Sequence, residues 1–237
     1  MGFKRIPNLV SIVIGCYNSE RHIEETLESL VSQTYRPIEI IVVNDGSSDR
    51  SDQVIRNWYE KEKYRFLDKD LQFVYLSLPY NTGFSGAFTS GYFLARGEFI
   101  ATQAADDISH PERIEKQVKF MRNHPETGMV GTALAWFDDG KFDKPYVYDF
   151  VKYGWKNISK IYQDGGHCVC HGTTLFRGDI FDRLGGFERY PKGKDTIAED
   201  YYFIHRYFQN GVRLENIPET LYYYRRYPEQ RSQNGLW

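Results

Sequence analysis

Residues 99 to 113, FIATQAADDISHPER, set two carboxylates, Asp106 and Asp107, side by side at the end of an apolar run. Adjacent carboxylates repel each other, so a chain that keeps them together there suits a hard divalent cation, which in turn binds phosphate oxygens. Asn18 follows an earlier apolar run, and Asn44 and Asp45 close another. A carboxylate beside amides can take the donor groups of a base or a ribose. Taken singly, these residues are ordinary formers of turns and caps: Asp45 lies in NDGSSD, and the aspartate pair shortly precedes Pro111. Their recurrence at successive strand ends is what points to a site.

The segment GHCVCH, 166 to 171, gathers His167, Cys168, Cys170 and His171. Read as a strand, it turns the histidines to one side and the cysteines to the other, a poor geometry for a four-ligand zinc site. Arg177, Arg225 and Arg226 each have two readings, contact with a phosphate or a solvated basic strand end. No G-x-G-x-x-G follows the first strand and no Walker loop occurs, which argues against a dinucleotide dehydrogenase and a P-loop phosphotransferase.

The positioning elements are legible in the hydrophobic pattern. LVSIVIGCY (9 to 17), IEIIVVND (38 to 45), LQFVYLSL (71 to 78) and EFIATQA (98 to 104) read as buried strands. Helices are expected after Ser19 as cap, from about Ser51 to Glu62, over GFSGAFTSGYFLA, and after Pro111, where Ile114, Val118 and Met121 share a face. This alternation predicts an α/β fold with a mostly parallel central sheet flanked by helices, and ligands beyond the carboxyl ends of its strands. TGMVGTALAWF (127 to 137) reads as a fifth strand and 138 to 166 as an insertion or loop. Helices around RGDIFDRLG and within 198 to 210, then two short strands near VRLENI and TLYYYRR, complete the chain.

At 237 residues one domain is expected. With 30 basic against 32 acidic residues there is no global field and no patch that recommends nucleic acid. Three cysteines make no disulfide framework, and the polar N-terminus does not read as a signal peptide, so a cytoplasmic location is expected. The 19 tyrosines supply rings of the kind that line sugar and base pockets.

VSIVIGCYN, ESLVSQTY, IEIIVVNDGSSD, NTGFSGAFTSGY, ADDISHPERIEKQV, RLGGF and AEDYYFIHR follow one another as they do in family 2 glycosyltransferases, inverting enzymes of the GT-A fold, which the chain resembles over nearly its whole length. It is similar in particular to transferases of spore-coat and capsular polysaccharide. The resemblance implies a single GT-A domain, with about 1 to 110 as the nucleotide-binding half and about 111 to 237 as the acceptor-binding half, the smaller acceptor-side region containing a short antiparallel part. It implies a nucleotide-sugar donor, a UDP-sugar above others, and a glycan or lipid-linked acceptor in cell-surface polysaccharide synthesis, with peripheral attachment to the inner membrane face left open. By the same resemblance Tyr17 packs on the donor base with Asn18 beside it, and Asp45 accepts the imide proton. Asp107 binds Mn²⁺ or Mg²⁺, and Asp106 serves the ribose or the metal shell. Asp200 is the implied general base, with Glu199 orienting nearby, and His167 or His171 contacts the diphosphate or a sugar hydroxyl. Arg225 or Arg226 reaches the donor phosphates as a C-terminal loop closes. Relatives mostly read D-A-D-D where this chain reads Ala104-Ala105-Asp106-Asp107, which implies a thinner metal shell. The alternative is a catalytically impaired nucleotide- or glycan-binding relative. A sugar-nucleotide pyrophosphorylase lacks support, because its glycine- and arginine-rich loop is absent after the first strand.

Overall fold

The computed structural model describes residues 4–188 and 199–230. One sheet of nine strands runs through them: β1 (Ile6–Cys16), β2 (Ile38–Asn44), β3 (Leu71–Ser77), β4 (Gly97–Ala104), β5 (Ile108–Ser109), β6 (Thr127–Asp138), β7 (Tyr146–Val147), β8 (Leu175–Arg177) and β9 (Arg213–Arg226). Its order is β3-β2-β1-β4-β8-β6-β9-β5, with β7 on β6. The β1, β2, β3 and β4 ladders and the β6–β9 ladder are parallel, while β5, β7 and β8 pair antiparallel. The mixed sheet agrees with the sequence expectation. The short reversed strands all come after β4 in the chain.

Period-two alternation divides each central strand between two cores. Val10, Ile12 and Ile14 of β1 face α1 (Ile23–Val31), α2 (Ser51–Glu62) and α4 (Arg113–Asn123), in a cluster with Leu27, Trp58 and Val118. Val13, Ile41 and Ile100 face α3 (Gly83–Leu94), α5 (Trp155–Gln163), α6 (Gly178–Leu184) and α7 (Glu199–Gln209), packing with Tyr92, Phe181 and Phe203. Strands apolar on both faces need helices on both faces, and the β-α alternation supplies them.

Several details differ from the sequence reading. Ser19 does not cap α1 through its side chain; its carbonyl accepts from His22 and Ile23, and the helix begins a turn later. The 138 to 166 stretch is not all loop, because α5 is amphipathic and buries Ile158 and Tyr162, leaving 139 to 154 irregular around β7. Residues 166 to 170 form no strand. They run as coil into a 3₁₀ turn at His171–Thr173, and β8 keeps only Leu175–Arg177. The two expected C-terminal strands are one, β9, whose register against β6 slips between Ile217 and Thr220. Pro218, which has no N–H to give a ladder, sits in that irregularity.

Candidate active site

Three parallel strands deliver their ends to one edge. β1 hands over to Tyr17 and Asn18, β2 to Asp45, and β4 to Asp106 and Asp107, with Cys16 level with Asn44 and Gly15 with Ala104. Tyr17 presents an exposed ring there. Asn18 adopts φ +49°, a left-handed conformation asparagine tolerates, and its Oδ1 accepts from the Ser48 N–H at 2.9 Å. It thereby ties the loop after β1 to the loop after β2. Asp45 is buried, and its Oδ1 accepts from the Thr82 N–H at 2.7 Å and hydroxyl at 2.6 Å. Its Oδ2 has no protein donor among the described residues. Gly46 follows at φ +63°, where a Cβ would lie 2.5 Å from the Tyr80 backbone, so glycine is what lets the Thr82 loop close on Asp45.

The aspartate pair divides its work. Asp107 is 1 % exposed; Oδ1 accepts from the Arg225 backbone N–H at 2.8 Å and Oδ2 from the Tyr222 hydroxyl at 2.8 Å. Asp106 is half-buried, its Oδ2 taken by the Tyr227 hydroxyl at 2.8 Å, with Oδ1 lacking a protein donor among the described residues. Burial pushes Asp106 above the usual carboxylate range, and burial together with the neighbouring Asp106 charge pushes Asp107 well above it. Asp106 is therefore the one of the two with an oxygen that takes no protein donor among the described residues.

Arg225 is 3 % exposed: Nε donates to the Asp106 carbonyl, one terminal nitrogen to Asp139 at 2.7 Å and the other to Glu25 at 2.5 Å. It braces the aspartate loop through three of its five N–H groups. Arg226 pairs with Asp138 at 2.7 Å, and Arg177 donates to the Thr127 and Met121 carbonyls.

Asp200 opens α7, its carboxylate accepting from the Tyr201 N–H at 2.8 Å. Glu199 begins the same turn, while residues 197 and 198 of the IAED segment lie outside the described residues. The Asp200 charge acts on His167, Cys170 and His171, and Cys170 also feels Asp107. Burial and these two charges push the Cys170 thiol up to about 12, which makes it inert. His167 is half-buried, 2.8 Å from the Tyr162 hydroxyl, and burial lowers its pKa against the opposing pull of Asp200. His171 turns into the core, 2.9 Å from the Tyr92 hydroxyl among Phe84, Phe88 and Phe203, and burial pulls its pKa down to about 4. Of the two histidines it is the more buried, at 4 % exposed. The expected strand geometry fails because residues 166 to 170 are coil and His171 begins a 3₁₀ turn.

The family model described as Glycosyl transferase family 2 matches residues 11–185. The chain belongs to glycosyl transferase family 2. Among curated relatives it is 28% identical over 219 residues to the putative glycosyltransferase EpsE of Bacillus subtilis, covering 90% of this chain and 71% of that protein. It is likewise 28% identical over 217 residues to the amylovoran biosynthesis glycosyltransferase AmsE of Erwinia amylovora, covering 90% and 74%. The fold matches S. aureus TarS 1-349 in complex with UDP-GlcNAc, at TM-score 0.73 and 21% identity over 96% of this chain and 61% of that one. It also matches a Pyrobaculum calidifontis mannosyltransferase in complex with GDP-Man and Mn²⁺, at TM-score 0.66 and 20% identity over 90% and 56%. The chain thus spans about three fifths of the solved structures it resembles.

Sequence reading missed the residues that hold the site from a distance. Tyr222, Tyr227 and the Arg225 backbone reach the aspartates across more than a hundred positions. Arg113, 0 % exposed, donates to Gln103, Ser109 and the Thr102 carbonyl, and its guanidinium lies 5.0 Å from the Tyr222 ring that in turn holds Asp107. Its one signal is position, an arginine just after Pro111 where α4 begins.

Proposed function

We propose that this domain transfers a sugar, with inversion, from a nucleotide-sugar donor, a UDP-sugar above others, to a hydroxyl of a glycan or lipid-linked acceptor in cell-surface polysaccharide synthesis. The observation that supports the reading is the pair of carboxylates at neighbouring strand ends, Asp45 and Asp106, each with an oxygen that takes no protein donor among the described residues. Asp45 Oδ2 is suited to the base, with the Tyr17 ring beside it, and Asp106 Oδ1 to the diphosphate end.

Among the described residues no group of three or more His, Cys, Asp and Glu could hold a metal by itself. One accessible carboxylate fits an ion that arrives with the diphosphate, since Mg²⁺ and Mn²⁺ need only one or two protein carboxylates when phosphates and water complete the shell. Such an ion would take up charge developing on the leaving nucleotide. This chain's residues do the rest: Tyr222 and the Arg225 N–H hold Asp107, the Arg225 guanidinium holds the Asp106 carbonyl, and on this reading Asp200 removes the proton from the attacking acceptor hydroxyl. Cytoplasmic work at the inner membrane face is part of the reading; among the described residues no helix is long and apolar enough to cross a bilayer.

The test is nucleotide release from UDP-, GDP-, dTDP- and CDP-sugars with Mn²⁺. One donor class should turn over in the wild type, and Asp200→Asn should lose about 10²- to 10⁴-fold in transfer while still binding that nucleotide. Near wild-type transfer by the variant would remove Asp200 from the mechanism.

A further inference from the structure

A run of ring contacts leads from this crevice outward along one face of β6 and β9. Leu134 and Tyr222, Trp136 and Tyr224, and Asp138 and Arg226 are register partners, and alternation puts them on a common face. At the inner end the Tyr222 hydroxyl touches Asp107. Outward, Trp136 stacks on Tyr148 at 4.0 Å and Tyr148 lies parallel to Phe150 at 5.9 Å. Phe150 meets His167 at 5.1 Å, and His167 meets Tyr201, the neighbour of Asp200, at 5.4 Å. Arg226 lies over both Trp136 and Tyr146, at 5.2 and 5.1 Å, and pairs with Asp138. Tyr146 and Tyr148 are 41% and 40% exposed although they are held in this array.

We infer that this ledge binds the acceptor as a chain of pyranose sugars, several residues of which lie on the rings while the terminal hydroxyl reaches Asp200. The inference rests on the glycosyltransferase reading of the crevice and deepens it. A pyranose has an apolar C–H face and a rim of hydroxyls, the complement of tyrosine and tryptophan rings that pair an apolar face with a polar edge. Rings already ordered by mutual stacking lose little freedom when covered, so such a surface is preorganised. A lipid tail would call for an aliphatic groove, whereas Val147 is the one large aliphatic exposed among residues 139 to 154, beside Phe142, Tyr146, Tyr148 and Tyr153. A single-sugar acceptor would use only the rings at Asp200, yet the array continues through four further aromatic residues to Tyr146.

The test is calorimetric and fluorescence titration of the full chain, with Trp136 as reporter. The probes are hexaoses of glucose, N-acetylglucosamine and mannose, the matching monosaccharides, and phosphatidylcholine vesicles as the lipid arm. At least one hexaose should bind more tightly than its monosaccharide, and Tyr148→Ala and Tyr146→Ala, both at exposed positions, should each weaken it by up to about tenfold, the scale of one lost stacking contact. The inference is overturned if no hexaose binds, if binding ignores both substitutions, or if vesicles bind in their place. Melting of the wild type with nucleotide and Mn²⁺, run alongside, separates the two levels. A nucleotide shift without hexaose binding removes the ledge alone; the lack of any nucleotide shift removes the transferase reading beneath it.

Discussion

Burial raises Asp106 and Asp107 together, and the charge of Asp106 raises Asp107 further, so the pair carries an electrostatic cost at neutral pH. The sign follows from proton binding. A carboxyl whose folded pKa exceeds its unfolded value of about 3.9 holds a proton that the unfolded chain has released, so the pair loses stability as pH rises through that window. Asp106→Asn should therefore raise the melting point of the nucleotide-free protein at pH 7 and flatten its decline above pH 4. A lower melting point in the variant would mean that the Tyr227 contact outweighs the repulsion. Ala104 poses a separate question, whether the missing leading carboxylate limits turnover. A complete site predicts little gain in Ala104→Asp, and a large gain in its nucleotide-release rate would favour an impaired site.

At the scale of elements, Arg113 fastens the start of α4 to β4, and through the Tyr222 ring it backs β9, the strand that holds Asp107. Burial lowers its pKa to about 10, so it stays charged at pH 7 without any carboxylate bonded to it. Arg113→Met would leave Gln103, Ser109 and backbone carbonyls short of donors, at a cost of about 2–4 kcal/mol in denaturant unfolding. His171 gives the 3₁₀ turn an acid-sensitive anchor. Its folded pKa of about 4 lies below the ordinary histidine value, so its contribution is complete above pH 6.5 and lost as pH falls toward 4. His171→Gln should flatten that part of the acid-unfolding profile, and an unchanged slope would place the acid sensitivity elsewhere. The strand-helix units before residue 127 were legible in the sequence because buried strands and amphipathic helices announce their periods. The 166 to 171 segment was not, since alternating polar and apolar residues imitate a strand while Cys170 and His171 carbonyls bond forward into a turn.

Across the whole molecule, the parallel strands fixed in advance where ligand groups would gather, and Asp45 and Asp106 do gather there. What periodicity does not carry is which oxygen is already spoken for. Thr82, Tyr222, Tyr227 and Arg225 reach the carboxylates through loops and through β9, contacts of long sequence separation that leave no local pattern. The sheet also makes the site depend on the chain's far end, because β9 lies between β6 and β5 and supplies the clamp on the aspartates. The central claim, that the crevice at these strand ends takes a nucleoside diphosphate with a divalent ion on Asp106, is tested most directly by the melting point against UDP, GDP, dTDP and CDP, each with and without Mn²⁺. One nucleotide at about a hundredfold excess over Kd should stabilise the wild type by about 2.7 kcal/mol only when Mn²⁺ is present, and Asp106→Asn should lose that shift. A shift with no nucleotide, or one that Asp106→Asn retains in full, would contradict the account.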